Sequence, residues 1–189
     1  NWRTPRRARW SFNNLRQLLP TAPIDPSTQP ASLPAARQDL TKLKFYDPHK
    51  QRTDLQSFLH ASHTDAFAVL HRGQLVCDWF DGFGAADRPH IIFSITKSMA
   101  ALLVGVLVGR GRLDPQDLVT DYLPELAGSA YDGARLRQLL DMQIASGFSE
   151  NYTDTDGIFM AYRRAAAWNP VEEGVETEGL RHFLTQMPK

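Results

Sequence analysis

Two short runs of apolar, β-favouring residues follow each other in the first half of the sequence. They cover residues 66–70 and 74–80 and are separated by His71-Arg72-Gly73. Two such runs joined by a short loop with glycine predict a β-hairpin. Just ahead of it, Asp54 precedes a short stretch that ends with Phe58 and Leu59. A carboxylate at that position caps a helix by accepting a backbone N–H of the first turn, so a short helix is expected there.

The longest apolar segment runs from Ser94 to Gly109. Its apolar residues are distributed around the whole helical circumference rather than along one stripe. A helix of this kind is typical of the interior of a protein. Gly109 and Gly111 can adopt the left-handed conformation that commonly ends a helix. We therefore predict a buried helix over this segment. Further helices are expected over residues 134–142, 158–167 and 176–187, with a loop over Gly147–Asp156.

The composition is that of a globular protein and excludes two classes of function. The chain has 189 residues, of which 42% are hydrophobic and 22% charged, and its formal net charge is zero. A dedicated nucleic-acid-binding protein usually carries a strongly basic surface, so no nucleic-acid partner is expected. The longest uninterrupted apolar run, Met99–Val108, is about half of what a membrane-spanning helix needs. No membrane span is expected either.

The first 50 residues differ in composition from the rest. They hold nine Lys and Arg against three Asp and Glu, and seven of the twelve prolines. Proline at this density disfavours long helices and central strands. We therefore predict a basic, proline-rich arm over residues 1–50, extended or partly disordered, and a separate body over residues 51–189. The arm's arginines are compatible with an anionic partner, or with a solvated segment held to the body by its aromatic side chains.

Candidate chemistry lies at the start of the long apolar helix. Ser94 and Lys97 are three residues apart, so their side chains share one helix face and can meet. Backbone N–H groups of the first turn and the positive end of the helix dipole can stabilise negative charge that develops near the serine oxygen. The same field and the apolar surroundings disfavour the ammonium form of the lysine. Lys97 is therefore a candidate base for activating Ser94 as a nucleophile.

The spacing alone has a simpler interpretation, in which Ser94 caps an ordinary helix and Lys97 lies on its surface. Context favours the chemical interpretation, because Ser98 is the only other polar residue among the ten that follow Lys97. His60 and His63 form a second candidate pair, but no third ligand lies at a useful spacing. We interpret them as the surface end of a helix rather than as a metal site.

Several segments together resemble the serine β-lactamase-related hydrolases, which include class C β-lactamases, penicillin-binding proteins and carboxylesterases. Within them the chain is most similar to the 6-aminohexanoate-dimer hydrolase branch. The segments that carry the resemblance are Phe93–Ser98, Gly109–Asp114, Val119–Leu126, Leu136–Met142, Gly147–Tyr152 and Arg9–Phe12. The resemblance implies an α+β, β-lactamase/transpeptidase-like fold with an antiparallel sheet flanked by helices. Ser-x-x-Lys is a motif of β-lactamases and penicillin-binding proteins.

By this resemblance Ser94 is the nucleophile, Lys97 is its partner and Tyr152 is the catalytic tyrosine. A lysine ammonium beside Tyr152 would favour its phenolate, which could then relay a proton to the leaving group. The sequence here reads Tyr152-Thr153-Asp154 instead of the common Tyr-x-Asn. A loop tyrosine that packs on its neighbours is the alternative, and Tyr122 and Tyr131 are weaker candidates.

The family's third motif, Lys-Thr-Gly or an equivalent on a late strand, does not occur in the sequence. We therefore expect that the sequence is the N-terminal part of a longer enzyme, that its fold is incomplete, and that residues 51–189 are the first portion of the catalytic domain. Such a chain would expose a sheet edge and an apolar helix, which predicts poor solubility or assembly with a complementing segment.

The expected activity is hydrolysis of an amide or ester bond through an acyl-serine intermediate, with a small-molecule substrate and no metal or organic cofactor. The alternative is a non-catalytic relative that binds a peptide or amide, or a regulatory module. The sequence is also compatible with a homodimer. A single cysteine and no recognisable signal sequence favour the cytoplasm, whereas removal of an upstream signal would place the protein in the periplasm or outside the cell.

Overall fold

The computed structural model describes residues 2–153, 155–168, 174 and 178–189. They form two compact units, Asn1–Ile91 and Ile92–Lys189. The first unit contains α1 (Pro5–Asn13), β1 (Lys44–Tyr46), β2 (Arg52–Asp54), α2 (Leu55–Ala61), β3 (Ala66–His71) and β4 (Gln74–Phe80). The second contains α3 (Ile95–Gly109), α4 (Val119–Tyr122), α5 (Leu136–Leu140), α6 (Ile158–Ala165) and α7 (Gly179–Thr185).

The predicted hairpin and the helix ahead of it are both confirmed. Strands β3 and β4 pair antiparallel, with His71 opposite Gln74. The two loop residues, Arg72 and Gly73, have φ angles of 50° and 75°, which suit the right-handed twist of a tight hairpin. At the start of α2, Asp54 accepts the backbone N–H of Ser57 at 2.8 Å. Local sequence signals therefore determine this part of the first unit.

The first 50 residues are less uniform than predicted. Residues 5–13 form α1, which begins with proline at a position where the missing N–H costs nothing. Residues 20–34 have no helix or strand, as expected for an extended segment. Next to them, Leu75 donates its N–H to the carbonyl of Pro34 and accepts the N–H of Ala36, both at 2.9 Å. This stretch therefore borders β4. The division at residue 50 stays a prediction.

A buried carboxylate fastens α1 to the rest of the first unit. The Asp65 side chain is only 4% exposed and accepts Arg9 Nε at 2.8 Å. Its other oxygen lies 3.3 Å from His90 Nε2, and Arg9 also reaches Asp81 at 3.2 Å. A Cβ atom on Gly84 would lie 1.9 Å from the carbonyl oxygen of Asp65. The glycine is therefore required for the close approach of these backbone segments.

The core of the second unit is built around α6 and α7. Ala130, Phe183 and Met187 are buried together, and Phe148 and Tyr162 pack against them. The Ala130 N–H also donates to the Met187 carbonyl at 2.9 Å. The three predicted helices are present with tighter bounds, as α5, α6 and α7. Residues 176 and 177 of the last prediction lie outside the described residues.

Helix α3 forms where it was predicted, but it is not buried. No residue of the helix is buried, and the exposed fractions of Leu102 and Leu103 are 67% and 61%. The expectation of a buried helix is thus wrong for this chain, because the described residues cover it only in part, at Val104, Leu107 and Val108. The exposed apolar helix expected of an incomplete fold is present instead. The helix ends at Gly109, as predicted, and of the two expected glycines it is Gly111 that lies in the left-handed region, at φ 64°. No helix within the described residues is long and apolar enough to cross a membrane.

We predict that the exposed face of α3 causes the chain to self-associate. Exchanging Leu102 and Leu103 together for glutamine should shift the chain towards monomer in sedimentation velocity. Each exchange removes the roughly 1.5–3 kcal/mol that burial of a leucine side chain contributes to association. Ile24→Gln is the matched control, since Ile24 is 96% exposed but lies away from this helix in sequence. A parent chain that sediments as a monomer and unfolds in one cooperative transition would contradict the prediction.

We also predict opposite effects of alanine at two glycines. Gly84→Ala should lower the free energy of unfolding by about 1–3 kcal/mol, because its methyl group meets backbone atoms that cannot move aside. Gly105→Ala should raise it by about 1 kcal/mol, because a Cβ there meets nothing within 4 Å and alanine favours the helix. Thermal unfolding by circular dichroism measures both. Equal melting temperatures for the two variants would refute the assigned role of Gly84.

Candidate active site

The structure brings Ser94 and Lys97 together at the N-terminus of α3. Ser94 is the N-cap residue, with φ −66° and ψ −12°. The Lys97 Nζ donates a hydrogen bond to Ser94 Oγ at 3.0 Å. Both side chains are exposed, so the apolar surroundings expected for the lysine are not provided by the described residues. The pair has hydrogen-bond geometry suited to proton transfer between the hydroxyl and the amine.

The backbone around this pair forms a tight turn that uses most of its N–H groups. Ile95, Thr96 and Lys97 each donate to the carbonyl three residues earlier, at 3.0 Å. The expectation that these first-turn N–H groups are free to stabilise negative charge is therefore wrong. Within the described part of the chain, the N–H of Ser94 makes no hydrogen bond, which leaves it as the donor of this turn that a ligand could use.

The residue before the serine has a strained backbone. Phe93 has a φ angle of 43°, in the left-handed region that costs a bulky L-residue about 1–2 kcal/mol. Its ring contacts that of Trp168, with centroids 5.9 Å apart and planes inclined by 32°. Residues held in this region tend to occur where the surrounding structure enforces them, often at functional sites.

Tyr152 is not joined to the serine and lysine. Its side chain is 64% exposed, its hydroxyl donates to Glu150 Oε1 at 2.8 Å, and its ring packs on Phe159 with centroids 4.9 Å apart. Among the described residues no hydrogen bond links it to Ser94 or Lys97. The hydrogen bond with Glu150 raises the pKa of the Tyr152 phenol. A carboxylate therefore lies where the sequence interpretation expected an ammonium. Asp154 is outside the described residues.

The two weaker candidate tyrosines, Tyr122 and Tyr131, make contacts that stabilise the fold. The Tyr122 hydroxyl donates to Asp117 Oδ2 at 2.6 Å and accepts the Asp114 N–H at 3.0 Å, and the bond to Asp117 raises the pKa of Tyr122. Tyr131 packs against the core of the second unit, and burial raises its pKa. Neither contacts the Ser94–Lys97 pair through a hydrogen bond in the described chain.

Of the two histidines considered as metal ligands, His60 makes contacts within the first unit. His60 lies in the last turn of α2, 3.2 Å from Asp81, with its ring on Trp79. No group of three or more His, Cys, Asp or Glu residues that could hold a metal ion occurs among the described residues.

Sequence reasoning missed three residues around the candidate site. Glu150 could have been noticed, because it stands two residues before Tyr152. The strain at Phe93 and its contact with Trp168 have no local signal, because a positive φ at phenylalanine and a contact 75 positions away follow from tertiary structure.

The raised pKa of Tyr152 makes a prediction for its neighbour. Glu150→Gln should lower the pKa of Tyr152 towards its ordinary value, because the phenolate would no longer form beside a carboxylate. The pKa is measured by nuclear magnetic resonance titration of ring-labelled tyrosine, with Tyr152→Phe to assign the signal. Glu125→Gln is the control, since Glu125 binds Arg181. An unchanged pKa in Glu150→Gln would show that the hydrogen bond does not form.

Comparison with known proteins shows which proteins this chain is similar to. The chain is 37% identical over 190 residues to a 6-aminohexanoate-dimer hydrolase of Paenarthrobacter ureafaciens. The aligned region covers 99% of this chain and 46% of the relative. A solved Bacillus anthracis structure, provisionally described as a 6-aminohexanoate-dimer hydrolase, superposes with a TM-score of 0.79 at 24% identity, over 95% of this chain and 47% of the other.

The chain thus spans about half the length of these two proteins. The superposition confirms the predicted fold, a β-lactamase/transpeptidase-like α+β arrangement that is present in part. The profile of the β-lactamase family matches residues 54–187, a range that includes the turn with Ser94 and Lys97. The chain belongs to the β-lactamase family.

Proposed function

We propose that the protein is a serine hydrolase that cleaves an amide or ester bond through an acyl-enzyme on Ser94. The observation that carries the proposal is the 3.0 Å hydrogen bond between Lys97 Nζ and Ser94 Oγ. A serine hydroxyl is a weak nucleophile until an adjacent base accepts its proton, and this lysine is the group in contact with it. Membership of the β-lactamase family supports the same assignment.

In the first step, the neutral amine of Lys97 accepts the hydroxyl proton while Ser94 Oγ bonds to the substrate carbonyl carbon. The tetrahedral intermediate collapses, the bond to the leaving amine or alcohol breaks, and that group receives the proton that Lys97 accepted, which leaves the amine neutral again. Water then attacks the acyl-serine while Lys97 accepts its proton; the bond to Ser94 Oγ breaks, and Lys97 returns the proton to that oxygen, which releases the acid and restores the serine.

The unbonded N–H of Ser94 supports the proposal as one oxyanion donor. It belongs to the nucleophile itself, and the neighbouring N–H groups are already used within the turn. A developing oxyanion gains several kcal/mol from a donor placed in advance. A second donor and the walls of the substrate pocket are expected from elsewhere in the full-length protein.

Tyr152 remains the proposed proton carrier to the leaving group. Its present hydrogen bond to Glu150 means that the phenol would have to change partners to approach Lys97. The proposal therefore assigns a change of rotamer or loop position to this residue during turnover. Its exposure and loop location are compatible with such a change.

For the substrate, the first compound to test is the linear dimer of 6-aminohexanoate, because the name of the 37% identical relative specifies it. Short-chain esters are the second class, since the same acyl-serine chemistry cleaves them with a better leaving group. A non-catalytic, ligand-binding relative is the second candidate, and the observations that it would explain are the exposed site and the hydrogen bond between Tyr152 and Glu150.

A hydroxyl-directed fluorophosphonate and p-nitrophenyl acetate distinguish these functions in the full-length protein. Ser94→Ala should abolish covalent labelling, and Lys97→Ala should slow acylation by about 100- to 10,000-fold, the usual contribution of a general base. Ser98→Ala, one residue further along the helix, is the matched control and should label normally. Labelling that survives Ser94→Ala would exclude this nucleophile, and a wild-type protein that never labels would favour the non-catalytic alternative.

A further variant tests the tyrosine alone. Tyr152→Phe should reduce turnover of the amide much more than that of the activated ester, because p-nitrophenolate leaves without needing a proton. Equal rates for wild type and Tyr152→Phe on both substrates would remove Tyr152 from the mechanism.

A further inference from the structure

Two non-glycine residues in the left-handed region lie on either side of one aromatic contact. Phe93 has a φ angle of 43° and immediately precedes Ser94, while Ala167 has a φ angle of 53° and immediately precedes Trp168. The Phe93 and Trp168 rings meet at 5.9 Å. The left-handed backbone at Phe93 directs that residue's own ring, and the left-handed backbone at Ala167 directs the ring of the next residue, Trp168. The two rings meet in a single contact.

The position of Trp168 is determined by the end of α6. Ala167 donates its N–H to Arg164 at 3.0 Å, and Trp168 donates its N–H to Arg163 at 2.9 Å. This is the Schellman arrangement, in which the left-handed position usually carries glycine. The two hydrogen bonds fix the backbone from which the indole side chain leaves the helix. Trp168 therefore approaches Phe93 from a well-defined helix terminus.

We infer that Phe93 and Trp168 are positioning residues for Ser94. The inference rests on the proposed function and deepens it. The carbonyl of Phe93 accepts the Thr96 N–H at 3.0 Å, so the strained residue is part of the turn that sets the direction of Ser94 Oγ towards Lys97. A ring contact that holds Phe93 in this conformation keeps the hydroxyl at 3.0 Å from the amine.

Without the indole, the backbone at Phe93 can relax towards an ordinary φ angle, and the serine then samples orientations away from the lysine. The loss falls on the chemical step rather than on substrate binding, because the hydroxyl and not the pocket is disturbed. A direct substrate contact by the same rings predicts the opposite pattern, a weaker binding constant with an unchanged rate constant.

The test measures acetylation of Ser94 by p-nitrophenyl acetate in the full-length protein, with the saturating rate constant and the binding constant determined separately. Trp168→Ala should lower the rate constant about tenfold and leave the binding constant unchanged, a loss of about 1.4 kcal/mol that an aromatic pair can supply. Trp168→Phe should restore it to within about twofold. Phe93→Ala combined with Trp168→Ala should be no slower than the slower single variant, because both act through one contact.

Phe45→Ala is the matched control, since it removes an aromatic pair with Phe58 at 5.5 Å in the other unit and should not alter acetylation. Wild-type rates in Trp168→Ala, a change confined to the binding constant, or multiplying effects in the double variant would overturn the inference.

Amide hydrogen exchange separates this inference from the proposed function. Trp168→Ala should accelerate exchange at Thr96 and Lys97, whose N–H groups close the turn, even if the wild-type protein is never acetylated. Lack of acetylation with accelerated exchange would reject the hydrolase but keep the positioning contact. Unchanged exchange at both amides would reject the positioning role.

Discussion

The exposed apolar surface of α3 is the constraint on which the proposed function of this protein depends. The same helix presents Ser94 and Lys97 at its first turn and carries apolar side chains around its circumference. In the described chain those side chains face solvent, with Met99 at 53% exposure and Leu102 at 67%. The hydrophobic effect therefore favours association of this helix with further apolar surface. A segment that covered the helix would also change the dielectric around Lys97, so completion of the fold and the proposed activation of Ser94 are physically linked.

Although α3 is exposed, polar and aromatic contacts define the local geometry around Ser94, Lys97 and Tyr152. The turn from Ile92 to Lys97 is closed by its own hydrogen bonds, and the hydroxyl and amine already meet at 3.0 Å. Tyr152 is held in a different way, by a carboxylate neighbour and by the aromatic cluster of Phe148, Phe159 and Tyr162. The second unit therefore contains a formed turn with the Ser94–Lys97 pair, and a tyrosine that makes no hydrogen bond to that pair among the described residues.

The sequence predicted those features whose causes lie within a few residues. The hairpin follows from two runs of apolar, β-favouring residues and a glycine loop, the start of α2 from the Asp54 cap, and the Ser94–Lys97 contact from helical spacing. For α3 the apolar pattern predicted burial, and only the expectation of an incomplete fold predicted its exposure, because exposure depends on which segments pack against the helix. The α1 helix was missed because a proline-rich composition obscured a proline that suits the first helical turn. The Asp65 contacts and the Phe93–Trp168 pair join residues far apart in sequence, and no local pattern reports them.

The buried Asp65 has a consequence for the order in which the first unit can form. Its partners Arg9, Asn13 and His90 are separated by almost the whole length of that unit. Within this unit α1 is made before residue 65, so Arg9 lacks this carboxylate partner until that residue has left the ribosome. The imidazole that shares the carboxylate follows another 25 residues later. The N-terminal helix of the unit therefore acquires its buried partner late, after contacts of short sequence separation such as the hairpin can already have formed.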